Sequence, residues 1–273
     1  MTPIPIFENK FEDLQTSIYQ TNEELGTAAA QEATNILKMV IRQKGEANVI
    51  LATGNSQLTF LKALIKMPVE WSKVNIFHMD EYIGLDPAHP ASFPLFLKVH
   101  FVDHIQPKAF FPITPSTLIE SQKVCEEYEA MLTLFPADLC VLGIGENGHL
   151  AFNDPPFADF HDTRRVKVIK LDEASRRQQV GEGHFKNIDQ VPTHAITLTI
   201  PALLAAKQVL ALVPEARKAE AVYRSLIGPI TPECPGSILR RTSQAHLYLD
   251  MDSSQKILPT VLGARGSIYT FFL

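Results

Sequence analysis

Residues 137–155 read ADLCVLGIGENGHLAFNDP. The opening run, Ala137–Gly143, is mostly apolar and too short for an ordinary helix, so it predicts a buried strand. Because it does not alternate in polarity, it suits a parallel strand covered on both faces. It leads into Ile144-Gly145-Glu146-Asn147-Gly148, where the glycines and the Asn-Gly step permit tight turns and positive φ. Two other runs have the same form: Ala47–Ala52 leads into Thr53-Gly54-Asn55, and Val74–Met79 leads into Asp80. His194–Ile200, Gln208–Val213 and Ala245–Leu249 are further strand candidates.

Helical patterns fill the intervals. Thr21 is placed to cap a helix running to about Gln43, with Glu24 as capping-box partner and Gly45 as the stop. Ser56–Lys66 carries Leu58, Leu61, Leu64 and Ile65 at helical spacing, and Glu215–Leu226 is helical up to Gly228-Pro229. Strands alternating with helices predict an α/β fold with a mainly parallel central sheet. Without an internal repeat, low-complexity tract or linker, the 273 residues are expected to form a single domain. In such sheets ligands bind outside the carboxyl ends of the strands, which is where the conspicuous polar residues fall.

Composition narrows the function classes. Hydrophobic residues are 45% and charged residues 20%, enough for a sizeable core. No apolar run approaches the roughly 20 residues of a membrane helix, and MTPIPIFENKFEDLQ has no secretory pattern. A net charge of −5 argues against broad nucleic-acid binding. Cys125, Cys140 and Cys234 form neither a disulfide framework nor a zinc pattern, and a cytoplasmic location is the expectation.

Three clusters carry candidate chemistry. Thr53-Gly54-Asn55-Ser56 joins a strand to a helix, where backbone N–H groups suit an anion; taken alone it also reads as an ordinary turn with Ser56 as N-cap. In His78-Met79-Asp80-Glu81-Tyr82, two adjacent carboxylates at a strand end can include one raised in pKa and poised as a base; taken alone the pair also reads as a salt-bridged strand end. His78 reads as a structural histidine. In the third cluster a glycine-rich turn presents His149, which exchanges protons near neutral pH, and Asp154 can orient its imidazole.

MDEYIGL together with GIGENGHLAFNDP resembles the glucosamine-6-phosphate deaminase family, with ATGNS, LDEASRRQQVGEG and VPEARKAEAV in support, from about residue 25 to 250. The resemblance implies a modified Rossmann-like three-layer fold with a lid near 157–190. It also implies conversion of glucosamine 6-phosphate and water to fructose 6-phosphate and ammonia, with no metal or organic cofactor. By that resemblance Asp80 moves a proton between C1 and C2. His149 opens the sugar ring, with Asp154 and Asn147 beside it. Thr53, Gly54, Asn55, Ser56 and Lys218 hold the phosphate, Arg176 from the lid completes that site, and Glu81 and Gly148 belong to the substrate-binding set. The implied partner is a small-molecule sugar phosphate, with no nucleic acid or membrane; family members differ in assembly, homo-oligomers included.

Two residues depart from the family pattern. Asn147 stands where many members have Asp, and Asp154 where most have Glu. The shorter Asp154 calls for a backbone adjustment or a bridging water to reach His149. The alternatives are a 6-phosphogluconolactonase-type hydrolase, which needs no enolising base, and a non-catalytic sugar-phosphate sensor.

Overall fold

The apolar runs fold as strands because each is buried along its whole length: every residue of Ala47–Leu51, Val74–His78 and Leu139–Leu142 is buried. The computed structural model describes residues 2–155, 157–181 and 183–259. In chain order the elements are β1 (Phe7–Phe11), β2 (Leu14–Tyr19), α1 (Asn22–Lys44), β3 (Ala47–Leu51), α2 (Leu58–Ile65), β4 (Val74–His78) and β5 (Asp80–Tyr82). They continue with α3 (Phe93–His100), β6 (Ala109–Phe111), α4 (Ser121–Leu134), β7 (Leu139–Leu142), β8 (Val166–Lys170), α5 (Glu173–Gly181) and β9 (His194–Leu198). The last are α6 (Ile200–Leu204), β10 (Gln208–Val213), α7 (Ala219–Ile227), β11 (Ala245–Asp250) and α8 (Met251–Ser254).

Eight strands form the central sheet in the order β1-β2-β11-β10-β7-β3-β4-β6. Every neighbouring pair is parallel except the edge hairpin β1–β2. Alternate residues of each strand feed two cores, one per face. Ile50, Val209 and Ala211 pack with residues of α4 and α7, while Val49, Leu51 and Leu210 pack with α1, α2 and α3. The expected three-layer α/β domain is therefore present.

His194–Ile200 corrects one expectation. As β9 it pairs antiparallel with β5 and β8 in a separate three-stranded sheet. Its run is as buried as the parallel strands because it is wedged between the main core and a smaller cluster around Tyr82 and Phe152, so hydropathy does not separate the two cases.

Local signals hold at the helix ends. Thr21 Oγ1 accepts the N–H of Glu24 at 3.2 Å, while the Glu24 carboxylate accepts from Gln20, one residue earlier than a reciprocal box requires. Gly45 closes α1 in the left-handed region, φ 84°. Ser56–Lys66 and Glu215–Leu226 each open with a 3-10 turn before the α-helix begins at Leu58 and Ala219.

The topology positions the site. From β3 the chain proceeds to β4 and β6 on one side, whereas β7 lies on the other side of β3 and leads to β10 and β11. The order reverses between β3 and β7, and a crevice opens at their carboxyl ends.

Candidate active site

The segments leaving β3, β4, β7 and β10 meet over this crevice. Thr53–Ser56, Asp80, Gly143–Gly145, His149 and Lys218 line one cavity, together with Gln179 and His184. Gly54 has φ 96°, turning the chain sharply between β3 and the 3-10 turn Asn55–Gln57. That conformation strains any side chain, which accounts for glycine at this point of the anion-friendly loop.

Asp80 reaches the cavity from the end of β4. His78 fixes its backbone: the Ile113 N–H donates to His78 Nε2 at 2.7 Å, so the ring proton sits on Nδ1 and donates to the Asp80 carbonyl oxygen at 3.0 Å. Burial pushes the His78 pKa down to about 3, against that carbonyl bond, and the ring is a neutral strut, as its sequence position suggested. The Asp80 carboxyl is pushed well above the usual carboxylate range, first by burial and then by the charge of neighbouring Glu81.

Glu81, expected in the substrate-binding set, is not among the residues lining the cavity. Its Oε2 accepts from Ser92 Oγ at 2.8 Å and Phe93 N–H at 3.1 Å, and its Oε1 accepts from Tyr82 N–H at 2.7 Å. Strand alternation turns it away from Asp80. Burial raises its pKa to about 7, offset in part by those three donors.

His149 sits on the turn after β7. Its ring lies against Gly145, where a Cβ would fall 2.2 Å from Nε2, so the turn requires glycine there. Nδ1 lies 3.0 Å from Asp154 Oδ1, leaving Nε2 as the nitrogen for proton exchange. The contact is direct, and Ala151 between the two residues takes φ 50°, in the left-handed region.

Asn147 braces rather than lines the site. Its Nδ2 donates to Asp154 Oδ1 at 2.9 Å and its Oδ1 accepts the His149 N–H at 3.0 Å. An Asp here would set two carboxylates against each other. Ser175 Oγ also donates to Asp154 Oδ1. Burial pushes the Asp154 carboxyl up, but bonds from His149, Asn147 and Ser175 and the charge of His149 hold it below the usual range. Asp154 thus supports His149 from outside the cavity wall. Gly148, at φ 95° and packed on Cys234, shapes the turn and is not among the residues lining the cavity.

A model of the family described as glucosamine-6-phosphate isomerases/6-phosphogluconolactonase matches residues 20–248. The chain belongs to this family. A glucosamine-6-phosphate deaminase from Exiguobacterium sibiricum is 32% identical over 94% of this chain and 98% of that protein. The structure of a monomeric glucosamine-6-phosphate deaminase matches at TM-score 0.80 and 30% identity, over 88% of this chain and 98% of that one. A 6-phosphogluconolactonase described as putative, from Neisseria gonorrhoeae, shares the fold at TM-score 0.68 and 17% identity, over 86% and 98% of the two chains.

Arg176, expected to complete the phosphate site, makes other contacts in this structure. Its Nη2 donates to the carbonyl oxygens of Ile188 and Val191 at 2.6 and 2.9 Å, and it is not among the residues lining the cavity. The cavity instead holds Arg217, Gln179 and His184, which sequence reasoning missed. Arg217 was within reach of the strand-end rule, since it follows β10 next to Lys218. Gln179 and His184 come from α5 and the turn after it and reach the cavity only through tertiary packing. Among the described residues no three His, Cys, Asp or Glu side chains cluster as metal ligands, and no helix is long and apolar enough to cross a membrane.

Proposed function

We propose that this chain converts glucosamine 6-phosphate and water to fructose 6-phosphate and ammonia. The observation that carries the reading is one cavity bearing a buried carboxyl, a histidine backed by a carboxylate, and a lysine beside an anion-friendly loop. His149 Nε2 delivers a proton to the ring oxygen as the pyranose opens. Asp80 then takes the proton from C2 and returns it to C1, turning the amino aldose through an enolamine into a ketose imine. Water adds at C2 and ammonia leaves. Thr53–Ser56 and Lys218 hold the phosphate, whose binding energy positions C1 and C2 at Asp80. The substrate's ammonium group at C2 supplies the counter-charge that draws the raised Asp80 carboxyl back towards ionisation. The segment near 157–190 is the proposed lid, and the lining of the cavity by Gln179 of α5 and by His184 supports that reading. Three free, buried thiols support a cytoplasmic location.

The test is turnover of glucosamine 6-phosphate followed by ammonia and ketose phosphate, with solvent-hydrogen exchange at C2 measured separately. Asp80→Asn keeps the size and removes the base, so exchange is expected to fall by about 10²-fold or more while ligand binding survives. Normal exchange by that variant would eliminate the assigned base. A parent that hydrolyses a phosphogluconolactone and releases no ammonia would favour the lactonase reading.

A further inference from the structure

The family resemblance looks for an arginine in the lid, and the two nearest the expected position, Arg176 and Arg177, make other contacts. Arg176 donates to the Ile188 and Val191 carbonyls, and exposed Arg177 pairs with Glu173 on its own helix. Two consecutive cations, Arg217 and Lys218, instead share the cavity wall with Thr53–Ser56.

The turn that presents them is strained. Glu215 has φ 81° and ψ 141°, a conformation nearly reserved for glycine that costs about 1–3 kcal/mol in other residues. Asp250 holds it, its two carboxylate oxygens accepting the Glu215 N–H at 3.2 and 3.1 Å, and the Lys218 N–H closes the turn on the Glu215 carbonyl at 3.0 Å. Arg217 Nε donates to Glu215 Oε2 at 2.6 Å, and its Nη1 donates to Glu146 Oε1 at 3.1 Å. Glu146 belongs to the turn that carries His149.

We propose that Arg217 is the second cation of the phosphate site, and that the phosphoryl group displaces Glu146 from it. This rests on the sugar-phosphate reading for the identity of the substrate, but on the cavity alone for the anion. The exchange is favourable on magnitude. The Arg217 and Glu146 side chains are 29% and 43% exposed, and such solvent-screened pairs contribute about 0–1 kcal/mol. A guanidinium fork on two phosphate oxygens forms charge-assisted bonds in fixed geometry, each worth about 1.5–3 kcal/mol. Glu215 keeps Nε occupied and so orients the fork. Anion binding then releases Glu146, and with it one tether on the His149 turn.

Inorganic phosphate binding to the full chain, measured by calorimetry, tests this without reference to turnover. Arg217→Gln is expected to bind phosphate about 10- to 100-fold more weakly. Arg217→Lys, which keeps the charge without the fork, is expected to fall between that variant and the parent. Glu146→Gln, at an exposed position, is expected to bind about 2- to 5-fold more tightly because a competing charge is gone. Phosphate bound as tightly by Arg217→Gln as by the parent would overturn the assignment. Unchanged or weaker binding by Glu146→Gln would overturn the displacement. A parent that binds phosphate through Arg217 but releases no ammonia from glucosamine 6-phosphate would refute the deaminase reading and leave this one standing.

Discussion

At the residue scale the site is governed by where carboxyl groups are buried. Asp80 and Glu81 are adjacent in sequence yet alternate across a strand, so one faces the cavity and the other is caught by Ser92, Phe93 and Tyr82. Glu81 holds its proton to about pH 7 in the fold, against 4.5 ordinarily. Between those values the native chain carries more of this proton than the unfolded one, so its contribution to stability falls as pH rises. His78 works with the opposite sign: the unfolded ring takes a proton below about 6.5 while the native ring, at about 3, refuses it. A difference measurement separates the two. The stability of the parent minus that of Glu81→Gln is expected to decline by up to about 3 kcal/mol between pH 4.5 and 7 and to level off on either side. The variant also turns an amide N–H₂ towards a backbone or hydroxyl donor, a pH-independent cost of about 1–3 kcal/mol that shifts the whole curve. Denaturant titrations across the pH range check this, and a flat difference would show that Glu81 titrates normally in the fold.

At the element scale, legibility followed how much each element depends on its neighbours. The central strands were readable as continuous apolar runs, and α1 as a capped amphipathic helix. The β1–β2 hairpin was not: its connection is Glu12-Asp13 with Glu12 at φ 52°, and no glycine or Asn-Gly step marks the turn. Strands β5 and β6 have three residues each, too few for any period to register. On α5 the adjacent Arg176 and Arg177 point opposite ways, and a run of sequence cannot say which one a packed surface will claim. Helix packing supplies a prediction here. A Cβ at Gly26 of α1 would lie 2.7 Å from the Phe60 backbone nitrogen and 2.6 Å from Thr59 Oγ1 of α2. Alanine gains up to about 1 kcal/mol in helix propensity over glycine, but forcing two close helices apart costs typically about 1–3 kcal/mol. Gly26→Ala is therefore expected to lower the thermal midpoint, and a midpoint equal to or above the parent's would show that the interface gives way easily.

At the scale of the whole molecule, the site is a product of topology. Thr53–Ser56 and Lys218 are more than 160 residues apart in sequence and meet because β3 and β10 flank β7 in one sheet. The strand-end rule and the family motif pointed to Asp80, His149 and Lys218, and the structure brings the three to one cavity. Ser175 behind Asp154, and Gln179 and His184 in the cavity wall, were invisible because nothing local encodes which residues of α5 and the turn after it pack against the crevice. A ligand held by segments that distant binds only the folded chain, so its binding free energy adds to global stability. Fructose 6-phosphate at 100 times its dissociation constant is expected to stabilise the fold by about 2.7 kcal/mol. For a chain of this length that raises the thermal midpoint by several degrees, at about 2–4 °C per kcal/mol. Lys218 is buried beside the loop, so Lys218→Ala removes a cation that no solvent replaces, and the variant should lose most of this shift at equal ligand concentration. Asp80→Asn, which leaves the phosphate end intact, should keep it. A Lys218→Ala variant that retained the parent's full shift would place the phosphate elsewhere and overturn the proposed orientation of C1 and C2 at Asp80.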